Sequence, residues 1–491
     1  MPGGPAEHHL RRAVGLRGLT MISLGSIIGS GWLLGALTAA KVAGAASLIS
    51  WILAGLVLAL LALVHAELGS TYPVSGGTAR FPFMVFGALG GFTGGWMAWI
   101  QAVTIAPIEV EATLGYLNSK YIHLALLNGN GTLTAKGIGI GALFMLVFTI
   151  INIMGVCWLA ESNTIATYWK ILIPTITIFA LLFSVFHTSN FSASGGFAPY
   201  GFHGVFAALL WAAPIKGVGA FGPYATLATN AGIGWLATLL VIDAVVSPAG
   251  TGLIYIGTSS RLAYGLGRND YFPRVISKVS ARGVPLISIC ICFVVGMLAF
   301  LPFPSWAGLV GLVTSATVIM YAMAPVSLAG LRRKDPDRPR AYRLPAAGVL
   351  CPVAFICANF IVYFAGFSTI FWLYVFVAVG FVIFAGYQAA LPPPRRTIIE
   401  WRSAYWIVPW LAALIIVSWL GNYDGVPPTV FGVTLLAIHH LGQWVDLAVL
   451  AAVSLAIYYW AVHSGMSAAK VRAAVESVEA EASAELETPL A

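Results

Sequence analysis

Twelve stretches of about twenty or more mostly apolar residues follow one another along this chain, at about 18–43, 46–68, 83–117, 137–159, 163–187, 235–260, 284–303, 306–330, 344–366, 369–391, 404–421 and 444–463. A helix needs about 20 such residues to cross the hydrocarbon of a bilayer. Within lipid, only helices and closed barrels satisfy their own backbone groups. The pattern predicts an all-α polytopic membrane protein of about twelve spans, with the lipid bilayer as its surroundings. Composition agrees: 9% of the 491 residues are charged and the mean hydropathy is +0.90, whereas soluble domains carry roughly 25% charge. So few charges cannot coat a water-facing surface of this size. The third run is long enough to tilt or to extend beyond the membrane.

Lysine and arginine placement predicts the orientation, because cytoplasmic loops collect them. With the N-terminus inside and the spans alternating, Arg11, Arg12, Arg17, Arg80, Arg261, Arg268, Arg274, Lys278, Arg282, the six basic residues of "RRKDPDRPRAYR" (332–343), Arg395, Arg396, Arg402, Lys470 and Arg472 fall inside. Lys41, Lys120, Lys136 and Lys216 fall outside, and Lys170 lies within a span. Both termini are therefore expected in the cytoplasm, 1–17 as a polar segment and 464–491 as an acidic tail, solvated or disordered. The net charge of +8 follows from this topology and predicts no nucleic-acid partner. "MPGGPAEHHLRRAVGLRG" lacks the small-residue cleavage pattern of a secretory signal, so an uncleaved N-terminus is expected. Cys157, Cys290, Cys292, Cys351 and Cys357 sit in or beside apolar runs without metal-site spacing. No disulfide, metal or cofactor is expected.

Residues 188–234 resist the scheme. Their one strongly apolar run, 205–213, is too short to cross, and a single crossing would put the later basic clusters outside. The segment is expected to be external, or re-entrant and shielded by protein within the 18–463 membrane domain.

Ionisable groups within spans are costly and usually functional. Glu109 and Glu111, Lys170 and Asp243 are such groups, and Glu67 closes the second span. Lys170 is either a lysine snorkelling to the interface or a cation aimed at the bundle centre, where desolvation makes its proton easy to release. Glu109 and Glu111 are two apart, so only one easily faces the interior and the other is expected near the outer interface. Asp243 precedes "AVVSPAGTG" (244–252), where Pro248 removes a backbone donor. Ser247 and Thr251, four apart on one face, either offer oxygens to an ion, a lysine or a substrate, or bond back into their own helix.

"LGSIIGSGWLLG" (24–35) raises a similar choice. Gly25–Gly29 and Gly31–Gly35 are GxxxG pairs that allow close helix packing. Gly29-Ser30-Gly31 also places three weak helix formers together. Unwinding there would free amides for a substrate carboxylate and carbonyls for an ammonium or an ion.

"GSIIGSGWLLG" resembles the first-span signature of the amino acid–polyamine–organocation family of permeases. "HAELGSTYPVSGGTARFP" (65–82) resembles the inner end of that family's second span and the following loop, "YWKILIP" (168–174) its fifth span, and "GTSSRLAYGLGRNDYFP" (257–273) the end of its eighth span. "APIEVEA" (106–112) and two extra C-terminal spans look most like the aspartate–proton symporter branch. The resemblance implies a leucine-transporter-like fold built on a five-plus-five inverted repeat, with the substrate between unwound parts of spans one and six. It also implies that Ser26, Ile28, Gly29, Ser30, Gly31 and Glu109 line the substrate site, and that Lys170, with Ser247 and Thr251, carries proton coupling in place of a sodium ion. One departure stands out: only 188–234 separates the parts that resemble spans five and eight, so spans six and seven have no counterpart and the inverted repeat is incomplete.

These readings make proton-coupled uptake of amino acids by alternating access the leading function, with an amino acid and a proton as partners and acidic amino acids as candidate substrates. The alternative is a permease-like membrane protein that no longer transports, because the opposing half of the substrate site is missing. No motif supports an enzyme: histidines and cysteines are scattered and there is no Gly-rich lysine loop.

Overall fold

The structure is a computed structural model that describes residues 16–487 apart from 75, 130, 155, 193–194, 209–221, 281–282, 301–305, 422–428, 431–432 and 435–442. The described chain is helical: α1 (Leu16–Ile27), α2 (Gly31–Ala43), α3 (Ser47–Thr71), α4 (Gly77–Lys120), α5 (Ala135–Met154), α6 (Val156–Val185), α7 (Gly201–Ala208), α8 (Pro223–Asn230), α9 (Gly234–Arg268), α10 (Leu286–Ala299), α11 (Trp306–Lys334), α12 (Ala347–Phe364), α13 (Phe367–Ala390), α14 (Trp401–Ala404), α15 (Ile407–Leu420), α16 (Gln443–Ser464) and α17 (Ala468–Glu487). One two-residue antiparallel pairing joins Thr429–Val430 to Val433–Thr434. Among the described residues, ten helical stretches are long and apolar enough to cross a membrane, the first of them, Ser23–Thr71, running from the end of α1 over α2 and α3. The protein is a multi-pass membrane protein.

Several expected spans take a different form. The first is two helices, α1 and α2, separated at residues 28–30. The long third run forms the 44-residue α4, which kinks at Gly87 (φ 71°, ψ −158°), a backbone conformation open to glycine. The seventh expected span contains only the 14-residue α10, about 21 Å at 1.5 Å per residue. Between α6 and α9 the described residues hold only α7 and α8, of eight residues each. Within the 188–234 segment, residues 193–194 and 209–221 lie outside the described residues, and so does most of the apolar run 205–213.

The chain divides into two compact units, residues 1–50 with 102–264 and 274–310, and residues 51–101 with 265–273 and 311–491. In the first, Ala106, Val110 and Leu114 of α4 pack with Met145 and Phe148 of α5, Leu253 and Ile256 of α9, and Ile289 of α10. Asn152 locks α5 to α9 by donating to the Leu253 carbonyl at 2.9 Å.

In the second unit, Phe92 of α4 stacks on Phe384 of α13 (centroids 4.6 Å apart) and meets Tyr271 edge-on. Glu67 is fully buried, and its carboxylate accepts from Arg332 Nε at 2.8 Å and from the Leu344 backbone N–H at 2.7 Å, with Arg340 3.3 Å away. The acidic tail is not free in solvent as expected. It forms α17, which buries Val471, Val475 and Val478 and pairs Glu481 with Arg80 (2.7 Å) and Glu479 with Arg338.

Candidate functional site

The candidate site is the gap between α1 and α2. Helix α1 stops at Ile27, Ile28–Ser30 are non-helical, and α2 starts at Gly31. A gap of this kind exposes the last carbonyls of one helix and the first amides of the next, each without an intrahelical partner. Those amides carry partial positive charge and the carbonyls partial negative charge. Side chains from α4, α6 and α9 meet these exposed groups.

Glu109 of α4 takes the amide end. Its Oε2 accepts the Ser30 backbone N–H at 2.7 Å. Gly29 makes this approach possible: a Cβ there would lie 2.9 Å from the Glu109 Cδ and closer still to Oε1. The Ser30 hydroxyl accepts the indole N–H of Trp306 at 3.1 Å. Ser30 and Glu109 are both buried.

Lys170 of α6 takes the carbonyl end. It is fully buried and does not snorkel. Its Nζ donates to the Gly25 carbonyl at 2.8 Å and to the Thr251 hydroxyl at 2.7 Å. Thr251 in turn has the Ile28 carbonyl at 2.9 Å and the Gly25 carbonyl at 3.1 Å as acceptors for its single proton. Gly250 leaves room for the lysine, since a Cβ there would lie 3.0 Å from Lys170 Cε.

Helix α9 brings Thr251 here through a proline-altered turn. Pro248 has no N–H to offer the Ala244 carbonyl four residues earlier. The Thr113 hydroxyl of α4 lies 3.1 Å from that carbonyl and 3.0 Å from the Glu109 carbonyl of its own helix, two acceptors for its single proton. Asp243 and Ser247 continue the Thr251 face toward the start of α9. Both are fully buried, and neither the Asp243 oxygens nor the Ser247 hydroxyl has a hydrogen-bond partner among the described residues.

The structure thus gathers Gly29, Ser30, Glu109, Lys170 and Thr251 with the Ile28 carbonyl at one break, and starts α2 at Gly31. It separates Ser26, whose hydroxyl bonds back to the Ser23 carbonyl at 2.8 Å. Glu111 is a correction: it is buried to 2% exposure rather than placed at an interface, because α4 is packed on nearly all sides through this stretch. Both of its oxygens lack a partner among the described residues. Trp306 and Thr113 belong to no sequence motif that pointed here, whereas Trp32 and Trp169 lie inside the GSIIGSGWLLG and YWKILIP stretches. For Thr113 the advance signal was Pro248, which leaves the Ala244 carbonyl without its helical donor.

Two families described as "Amino acid permease" match the chain, over residues 18–218 and 212–413. The chain is similar to the glutamate/serine transporter AimA of Bacillus subtilis (31% identical, covering 93% of this chain and 95% of that one) and to the aspartate-proton symporter of the same organism (30%, covering 95% and 99%). It also resembles the branched-chain amino acid permease BcaP of Bacillus subtilis (26%, covering 78% and 94%). The first two alignments run over 528 and 530 positions, more than the 491 residues of this chain. By the covered shares, about 70 and about 64 positions of those relatives have no counterpart here.

Proposed function

The chain belongs to the amino acid–polyamine–organocation family of amino acid permeases, and from that premise we propose that it is a secondary active transporter coupling amino acid uptake to proton entry. The observation that carries the coupling is the Lys170 ammonium, fully buried and bonded to Gly25 and Thr251 at the carbonyl end of the break. A buried cation whose hydrogen bonds go to a carbonyl and a hydroxyl loses that support when those oxygens move, and can then release its proton. The substrate carboxylate is received at the first turn of α2, with Ile28, Gly29, Ser30 and Gly31 around it and Glu109 as the facing wall. Ser247 lies one turn from Thr251 on the coupling side. An amino acid with an acidic side chain suits the relative whose name reads aspartate-proton symporter. The lysine and arginine bias supports both termini in the cytoplasm.

One observation favours a second reading, a permease-like protein without transport. The described helices between α6 and α9 are too short to span, and roughly 64–70 unmatched positions in each of two relatives are enough for two spans and their connections. Uptake of labelled amino acids into liposomes under an inward proton gradient separates the two. Gradient-driven uptake that Lys170→Ala abolishes supports coupled transport. Absence of uptake from folded protein overturns it and leaves the second reading.

A further inference from the structure

We propose that α17 is a releasable strap latched through Arg338, and that Asp335 takes over the same arginine when the strap is off. Helix α17 lies against its unit by one apolar stripe, Val471, Val475 and Val478, while Arg472, Ala473, Glu476 and Ser477 between them are exposed. Its ion pairs reach three separate places. Lys470 Nζ donates to Glu400 Oε1 at 2.7 Å in the α13–α14 connection. Glu479 pairs with Arg338 in the α11–α12 connection, and Glu481 lies 2.7 Å from Arg80 in the first turn of α4. Among the described residues no backbone hydrogen bond joins α17 to another element. The nearest one precedes it, from the Met466 N–H to the Val85 carbonyl at 2.9 Å. An element held by side chains alone, beyond an anchored joint, can leave its seat while the helices it covers stay folded.

Arg338 is where the strap meets a competitor. Its guanidinium sits over the Tyr72 ring, 4.6 Å from the centroid, and its Nε donates to the Thr71 carbonyl at 3.3 Å. Those contacts hold the group in place whichever acid it serves. One terminal nitrogen donates to Glu479 of α17. The other stands 4.0 Å from Asp335 Oδ2, beyond hydrogen-bond range. The Tyr72 hydroxyl lies 3.4 Å from that same Asp335 oxygen and competes with the guanidinium for it. Breaking a partly buried ion pair is costly chiefly when it strands a charge. Here Asp335 is already at hand, so departure of α17 leaves Arg338 paired. Docked strap and Arg338–Asp335 pair draw on one guanidinium, so strengthening either weakens the other. Through Arg338 the state of the tail thus reaches Thr71 and Tyr72 at the end of α3. The strap does not depend on the transport reading.

The test is amide hydrogen exchange of α17 in the full chain, in lipid nanodiscs at pH 7, where the exchange rate reports how often the helix leaves its seat. Val475→Asp gives the rate of the released tail. Glu479→Gln is expected to speed exchange of α17 by roughly two- to fivefold, the range for one partly exposed ion pair. Asp335→Asn touches nothing on α17, yet it removes the competitor and is expected to slow that exchange by a similar factor. Tyr72→Phe keeps the ring under Arg338 but frees Asp335 to take the guanidinium, so it is expected to speed exchange. It also provides the test if Asp335→Asn does not fold. In a Glu479→Gln background, neither Asp335→Asn nor Tyr72→Phe should alter exchange of α17, because the latch they act on is gone. The proposal is overturned if Asp335→Asn leaves exchange of α17 unchanged or speeds it, if Tyr72→Phe leaves it unchanged or slows it, or if either variant acts equally with and without Glu479. It is also overturned if the wild-type tail already exchanges as fast as that of Val475→Asp.

Discussion

Gly29→Ala tests whether the Glu109 carboxylate and the start of α2 form one unit. Gly29 does not adopt a positive φ, so alanine suits its backbone and the effect should come from the side chain alone. The added methyl would lie 2.9 Å from Glu109 Cδ and closer still to Oε1, with Oε2 at 3.1 Å. The carboxyl group must withdraw, breaking its 2.7 Å bond with the Ser30 N–H. Hydrogen bonds to charged groups are worth about 1.5–3 kcal/mol, and that is the expected loss in SDS-driven unfolding from mixed micelles. In a Glu109→Ala background nothing remains to collide with. There, Gly29→Ala should change stability by no more than about 0.5 kcal/mol, the scatter for independent sites. The double-mutant cycle should therefore show a coupling of about 1.5–3 kcal/mol. Equal losses in both backgrounds would refute the argument, since the effect would then not run through Glu109.

Four further outcomes follow from other parts of the chain. Glu67→Gln should destabilise by about 3–5 kcal/mol in the same assay, because it leaves Arg332 and Arg340 without their buried counter-charge; retention of wild-type stability would contradict the burial of that centre. Val475→Asp should release α17 and expose the tail to limited proteolysis, since a carboxylate would enter an apolar contact. Arg80→Ala should leave the tail protected, because an ion pair with a half-exposed partner contributes about 0–1 kcal/mol. Gly380→Ala should cost about 1–3 kcal/mol by overpacking against the Trp96 indole, whose Cδ1 would lie 2.8 Å from the new methyl; unchanged unfolding would show that the indole yields freely.

Most of the helical order was legible because a membrane span needs a long apolar run, and such runs are visible in sequence. The break at residues 28–30 was legible because three weak helix formers stand together. The meeting of Lys170 with Thr251 was open to inference from a lone intramembrane cation and a hydroxyl face beside a proline. The position of Glu111 was not legible: a helix buried on nearly all sides has no polar face to give an orientation, so two-residue spacing could not separate inside from outside. Trp306 gave no warning, because a tryptophan within an apolar run reads as packing until its N–H is located. The docking of α17 did leave a trace. Val471, Val475 and Val478 fall at helical spacing within an otherwise Glu/Ala-rich tail, and that stripe marks a buried face.

The break between α1 and α2 carries an internal zwitterion. Glu109 sets a carboxylate against the amide end and Lys170 sets an ammonium against the carbonyl end, the two charged groups that any free amino acid bears. The protein's own side chains thus act as a resident ligand. The exposed ends of both helices are thereby satisfied from within the chain, so the break stands without any bound molecule to complete it.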